Sequence, residues 1–221
     1  MASEAKIKFC GMTRLADAEL AVELGAWAVG MVFHPQSPRR CPQESAVEIG
    51  AALKRRCEVA GVFHNAKLDT IARVAEDCSL TLVQLHGDEG PAYCEEVARK
   101  TGCEVIKAAR VKSVADVLAL RVYRTAYHLL DTHREGLPGG TGETFPWEYA
   151  KRHAGPAPFI LAGGLTPVNV GEAISAAGPW AVDVASGIEL SPGVKGEALM
   201  RDFADAVRLV SAPEPSAEQA A

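Results

Sequence analysis

The chain has 221 residues, 48% of them apolar, a proportion ordinary for a folded globular protein and a length that suits one domain or two. Its 23 basic and 28 acidic residues give a net charge of −5 with no long run of either sign, which argues against a nucleic-acid partner. No stretch approaches the roughly 18 uninterrupted apolar residues of a membrane span, and Met1–Lys6 lacks the apolar core of a secretory signal, so a cytoplasmic chain is expected.

In chain order, Lys6–Phe9 is a compact strand pattern that delivers Cys10 to a strand end, and Thr13 reads as the N-cap of a helix over Arg14–Leu24. Further strands are expected at Ala28–Phe33, Val59–Phe63, Leu82–Leu85, Val105–Ala109, Tyr127–Leu130, Phe159–Ala162 and Ala181–Val184. Most are apolar on consecutive positions, the pattern of parallel strands covered on both faces. Helical spacing fills the gaps: Ala46, Ile49 and Leu53; Ile71, Val74, Ala75 and Cys78; Val170, Ala173, Ile174 and Ala177; and Leu199, Phe203, Ala206, Val207 and Val210. Ser113 with Asp116 reads as a capping box, and Thr166-Pro167 as an N-cap followed by proline at the first helical position. Between Leu130 and Phe159 only Trp147–Arg152 offers a short helix, with Trp147 and Phe145 expected over the barrel end.

Eight strand-helix units within about 210 residues predict a single (β/α)8 TIM barrel of eight parallel strands, residues 1–210, followed by a disordered tail, 211–221. A doubly wound open sheet is the rival, because periodicity does not give strand order. No G-x-G-x-x-G follows the first strand, which lowers that rival. Six cysteines (Cys10, Cys41, Cys57, Cys78, Cys94 and Cys103) include no C-x-x-C pair and none with histidine at zinc-finger spacing, so free thiols are expected and no metal site is argued for.

In such a barrel, residues just after strand ends form the functional rim. Cys10 stands there as a proton carrier or a small core residue. After the second strand, His34-Pro35-Gln36-Ser37-Pro38-Arg39-Arg40 carries two guanidinium groups; Arg39 suits a carboxylate or simply faces solvent. His86 after the fourth strand is a hydrogen-bonding residue or a bystander on the rim. Asp131 ends the apolar run Tyr127–Leu130; partial desolvation would suit it to donate a proton, and capping or solvation is the alternative. The pairs Gly163-Gly164 and Ser186-Gly187, each after a late strand, suit a phosphate held by backbone N–H groups better than two unrelated turns. Gly142 belongs to the glycine-rich loop Gly139–Gly142, and Asp183 lies inside the last strand's end.

Seven blocks then line up in one order. Lys8-Phe9-Cys10-Gly11-Met12-Thr13 resembles the K-I-C-G-I-T start of the phosphoribosylanthranilate isomerases of tryptophan biosynthesis. The likeness continues through Val32–Arg39, Val83–Gly87, Leu129–Thr132, Gly139–Trp147, Leu161–Leu165 and Ala181–Glu189. It implies an Amadori rearrangement of N-(5-phosphoribosyl)anthranilate, a small phosphosugar, with no metal or organic cofactor, in a monomer or homodimer. By the resemblance, Asp131 is the general acid and Cys10 the general base. Arg39 meets the anthranilate carboxylate, Gly163, Gly164, Ser186 and Gly187 take the phosphate, and His86, Gly142 and Asp183 are further substrate contacts. Phe9 stands where isoleucine is usual, His34 where tyrosine or a small residue is, and Glu143 and Pro146 where lysine and aspartate are; none of these touches Cys10 or Asp131. A histidine-pathway isomerase of similar fold would carry paired aspartates rather than Cys10. A non-catalytic phosphosugar-binding barrel would need the glycines without the acid and base.

Overall fold

The computed structural model describes residues 5–131, 147–155 and 157–211. Eight strands run parallel: β1 (Lys6–Cys10), β2 (Ala28–Val32), β3 (Glu58–Phe63), β4 (Leu82–Leu85), β5 (Glu104–Arg110), β6 (Tyr127–Asp131), β7 (Phe159–Ala162) and β8 (Ala181–Val184). They close in sequence order, because β1 pairs in parallel with β2 on one side and with β8 on the other. Closure decides between the two expected architectures: the sheet is a barrel.

Alternation along each strand sorts the side chains into two cores. Inward positions carry Ala28, Ala60, Leu82, Ile106, Ala108, Leu129, Ile160, Ala162 and Ala181, which fill the barrel. Trp27, Tyr127 and Trp180 pack on that cluster as a triad, with ring centroids 4.7–5.0 Å apart. Outward positions such as Ile7, Phe9, Val29, Val83 and Val182 meet the helices in the larger core. There Phe9 packs edge-on against Phe203 at 6.1 Å, so the bulkier residue at that position is absorbed by the last helix.

The outer layer holds α1 (Leu15–Glu23), α2 (Gln43–Leu53), α3 (Leu68–Asp77), α4 (Pro91–Thr101), α5 (Val114–Ala119), α6 (Val170–Ala177) and α7 (Glu197–Ser211). Between β6 and β7, the described residues place only a 3-10 helix, Trp147–Arg152, in the helical layer. Trp147 is buried in the outer core rather than over the barrel end, and Phe145 lies outside the described residues. The capping box Ser113–Asp116 forms as expected.

Two helix starts differ from expectation. α1 begins at Leu15 with Arg14 at the cap, because the Thr13 hydroxyl donates instead to the carbonyl of Gly193. α6 begins at Val170 with Asn169 at the cap; Thr166 instead caps the turn before it, its Oγ1 accepting the Asn169 N–H at 3.3 Å while its own N–H donates to Asn169 Oδ1 at 2.8 Å. A short hairpin of β9 (Glu189–Ser191) and β10 (Val194–Lys195) follows β8 and supplies that Gly193 carbonyl. α7 ends at Ser211, the first residue expected in the tail; residues 212–221 lie outside the described residues.

Candidate active site

The carboxyl ends of the strands surround a cleft of about 590 Å³. Cys10, Arg39, His86, Asp131, Gly163, Gly164, Asp183 and Ser186 all line it, so the barrel brings most of the expected residues to one place. Arg40 is exposed and does not line it. Gly187 does not line the cleft but holds two of its loops together: a Cβ there would lie 1.9 Å from the Leu165 carbonyl oxygen. Gly163 and Gly164 adopt φ of +94° and +66°, which gives the loop after β7 a shape that other residues rarely take. Gly142 lies outside the described residues.

Cys10 is buried at the end of β1. Two residues earlier on the same face, Lys8 is fully buried and its Nζ lies 2.8 Å from Asp183 Oδ1. The tight space around the thiol is set by Gly30 of β2, where a Cβ would stand 2.8 Å from Cys10 Sγ and 3.1 Å from Lys8 Nζ. Burial pushes the Cys10 thiol up, and the Asp183 carboxylate adds to that. Lys8 and Lys195 pull the other way without reversing it. Lys8 stays above its ordinary value: burial works against its charge, but Asp183 and Cys10 outweigh it.

On the facing wall, Asp131 Oδ2 lies 3.1 Å from His86 Nε2, and His86 Nδ1 lies 3.1 Å from the Gln84 amide nitrogen. The loop carrying His86 is braced from beneath. Glu89 accepts the Gly87 N–H at 2.8 Å and pairs with Lys107 at 2.9 Å, and Lys107 also donates to the Gly87 carbonyl. Burial works against the Glu89 charge, yet its hydrogen bonds to Lys107 and the backbone hold the carboxyl below its usual range.

Arg39 is not loose in the cleft. Its Nε and Nη2 both donate to Glu189 of the hairpin, at 2.9 and 2.8 Å. Glu189 also accepts from Lys195 Nζ at 3.0 Å, and that ammonium donates to the Ala185 carbonyl as well. Burial lowers Lys195 from its ordinary value against the pull of Glu189. Despite burial, Arg39 and Lys195 hold Glu189 below the usual carboxylate range.

Lys8, Gln84, Glu189 and Lys195 were not assigned roles from the sequence. Two of them were within reach: Lys8 and Gln84 sit two residues before Cys10 and His86, and so share their inward face. A lysine or glutamine inside an otherwise apolar parallel strand needs a buried partner, and the rim supplies it.

A family model described as N-(5'phosphoribosyl)anthranilate (PRA) isomerase matches residues 7–206. A curated relative from Citrifermentans bemidjiense, named N-(5'-phosphoribosyl)anthranilate isomerase, is 46% identical over 205 residues, covering 92% of this chain and 98% of the relative. The crystal structure of phosphoribosyl anthranilate isomerase from Thermus thermophilus superposes with a TM-score of 0.82 at 38% identity, covering 93% of this chain and 99% of that one. Another such isomerase, solved in complex with reduced 1-(o-carboxyphenylamino)-1-deoxyribulose 5-phosphate, gives a TM-score of 0.79 at 36% identity over 92% of this chain and 98% of that one.

Proposed function

The chain belongs to the N-(5'-phosphoribosyl)anthranilate isomerase family, and from that membership we propose which residues of its cleft carry the reaction. The enzyme converts N-(5-phosphoribosyl)anthranilate to 1-(2-carboxyphenylamino)-1-deoxyribulose 5-phosphate, an Amadori rearrangement in tryptophan biosynthesis.

Asp131 gives its proton to the ribose ring oxygen as the bond from that oxygen to C1 breaks, leaving a Schiff base between C1 and the anthranilate nitrogen. Cys10 then takes the proton from C2. The electron pair moves into the C1–C2 bond and neutralises the iminium, so the substrate's own imine is the electron sink. The enolamine takes up a proton at C1 while its C2 hydroxyl gives one up, and C2 becomes the ketone. Arg39 meets the anthranilate carboxylate, and Gly163, Gly164, Ser186 and Gly187 form the phosphate end. His86 and Asp183 hold the acid and the base in place through Asp131 and Lys8, and Gly142 comes from a loop outside the described residues.

The observation that carries this reading is that Cys10 and Asp131, three strands apart around the barrel, line the same cleft. Each has its own polar support: Lys8 is beside the thiol, and His86 is beside the carboxyl. The residues named lie within 1–210, which we take as the catalytic unit. No described helix is long and apolar enough to cross a membrane, in keeping with work in the cytoplasm.

Purified protein mixed with freshly generated phosphoribosylanthranilate should remove the substrate's fluorescence. Cys10→Ser and Asp131→Asn should each slow that loss at least about a hundredfold. Unchanged turnover in Cys10→Ser would replace the base, and inactive but folded wild type would overturn the function.

A further inference from the structure

Gln84 is a residue of the cleft whose chemistry the reaction as described leaves unused. It is 1% exposed on the inward face of β4 and lines the cleft between the β3 and β5 walls. Its amide has two unlike ends. The nitrogen stands 3.1 Å from His86 Nδ1. The oxygen, Oε1, is the only buried side-chain nitrogen or oxygen among the described residues with no hydrogen-bond partner. Such groups are rare in folded proteins, because an unmade bond costs the full desolvation of the atom.

The orientation of the amide follows from its neighbours. An amide nitrogen only donates, so His86 Nδ1 accepts and the neutral imidazole carries its proton on Nε2. That N–H faces Asp131 Oδ2 at 3.1 Å, a partner suited to the carboxylate left once the acid has given up its proton. Once Asp131 has given up its proton, reversing the amide would require a proton on Nδ1 and turn the Nε2 lone pair toward a carboxylate. In that state the nitrogen is committed to His86, and the oxygen is left in the cleft wall as an acceptor without a partner.

We propose that Gln84 is a substrate-positioning residue whose side-chain oxygen accepts a hydrogen bond from a hydroxyl of the bound sugar. The assignment rests on the function given above. An acceptor needs an O–H or N–H partner. The ligand's carboxylate and phosphate offer acceptors only and its anilino N–H is met by the carboxylate ortho to it, whereas its sugar carbons carry several hydroxyl donors.

The test uses the reduced product analogue and forms of it that lack one sugar hydroxyl each, with affinities measured by calorimetry on the full chain. One deoxy form should bind wild type at least about tenfold more weakly than the parent, a difference of about 1.4 kcal/mol. In Gln84→Met that penalty should shrink to about twofold, while Gln84→Glu, which keeps an acceptor oxygen, should retain it. If wild type binds the parent analogue but every deoxy form binds within about threefold of it, the assignment is overturned, with no variant needed. A penalty that persists in folded Gln84→Met overturns it too. Wild type that neither turns over phosphoribosylanthranilate nor binds the analogue would overturn the function itself, a result distinguishable from either.

Discussion

In the role proposed for it, the thiol of Cys10 has to lose its proton before it can take one from C2, and its surroundings make that loss costly. Burial and the Asp183 carboxylate hold the thiol above its ordinary value, and the ammonium groups of Lys8 and Lys195 offset only part of this. A thiol held high is a scarce base at neutral pH but a strong one when it forms, because basicity rises with pKa. The pH dependence follows in sign: the competent thiolate increases as pH rises, tenfold per unit, until the pH passes a value above the ordinary thiol figure of about 8.5. The thiolate absorbance of Cys10, taken as the difference between wild type and Cys10→Ser, should therefore still be rising at about pH 8.5, without levelling off at the ordinary thiol value. A plateau reached below about pH 8 would mean that the two lysines dominate and that the thiol is lowered, not raised.

At the scale of elements, the hairpin β9–β10 joins parts of the rim that lie far apart in sequence. Its Glu189 holds Arg39 of the loop after β2 and Lys195 of its own second strand, and its Gly193 carbonyl takes the Thr13 hydroxyl. The two bonds to Glu189 fix the plane of the Arg39 guanidinium, so in the role proposed for Arg39 a substrate carboxylate would meet a group already in position. Glu189→Gln should release that fork and raise KM at least about fivefold while kcat changes by less than about threefold, the mark of binding energy shared by ground and transition states. Steady-state kinetics would decide it, and an unchanged KM would remove Arg39 from the substrate site. The same hairpin shows where local sequence reading stops. All eight strands were legible because parallel strands buried on both faces are apolar on consecutive positions, and Cys10 and Asp131 were legible because they follow directly from strand ends. The helix start at Thr13 was not, because its hydroxyl engages a partner 180 positions away that neighbouring residues do not reveal, whereas Thr166 pairs with Asn169 only three residues on and the helix merely starts later than expected. Glu189 and Lys195 were missed for the related reason that their contacts are set by loop packing, while Lys8 and Gln84 stood in view as polar residues inside apolar strands.

For the whole molecule, closing the barrel buries groups whose charge state then bears on stability. His128 on β6 is fully buried, and its Nδ1 lies 2.8 Å from His153 Nε2, while its Nε2 faces the Tyr123 carbonyl at 3.2 Å. The arrangement is satisfied with both rings neutral: His153 donates to His128, and His128 donates to the carbonyl. Burial holds both histidines below their ordinary value, and for His128 the nearby His153 adds to the effect. The sign of the linkage follows. Between the lowered folded values and about 6.5, the unfolded chain binds protons that the folded chain refuses, so stability is intact above about pH 6.5 and falls as the pH drops below it. Replacing the pair should remove that part of the acid sensitivity while leaving the carboxylate contributions unchanged. Urea midpoints of wild type and a His128→Gln/His153→Gln variant, taken at pH 7.5 and pH 5.5, give the comparison. The wild-type midpoint should fall by more over that interval than the variant's, even if the variant starts lower. Equal falls would mean that the two imidazoles titrate alike in the folded and unfolded chains, and that the acid limit of the barrel lies with its buried ion pairs, Lys8–Asp183 and Lys107–Glu89.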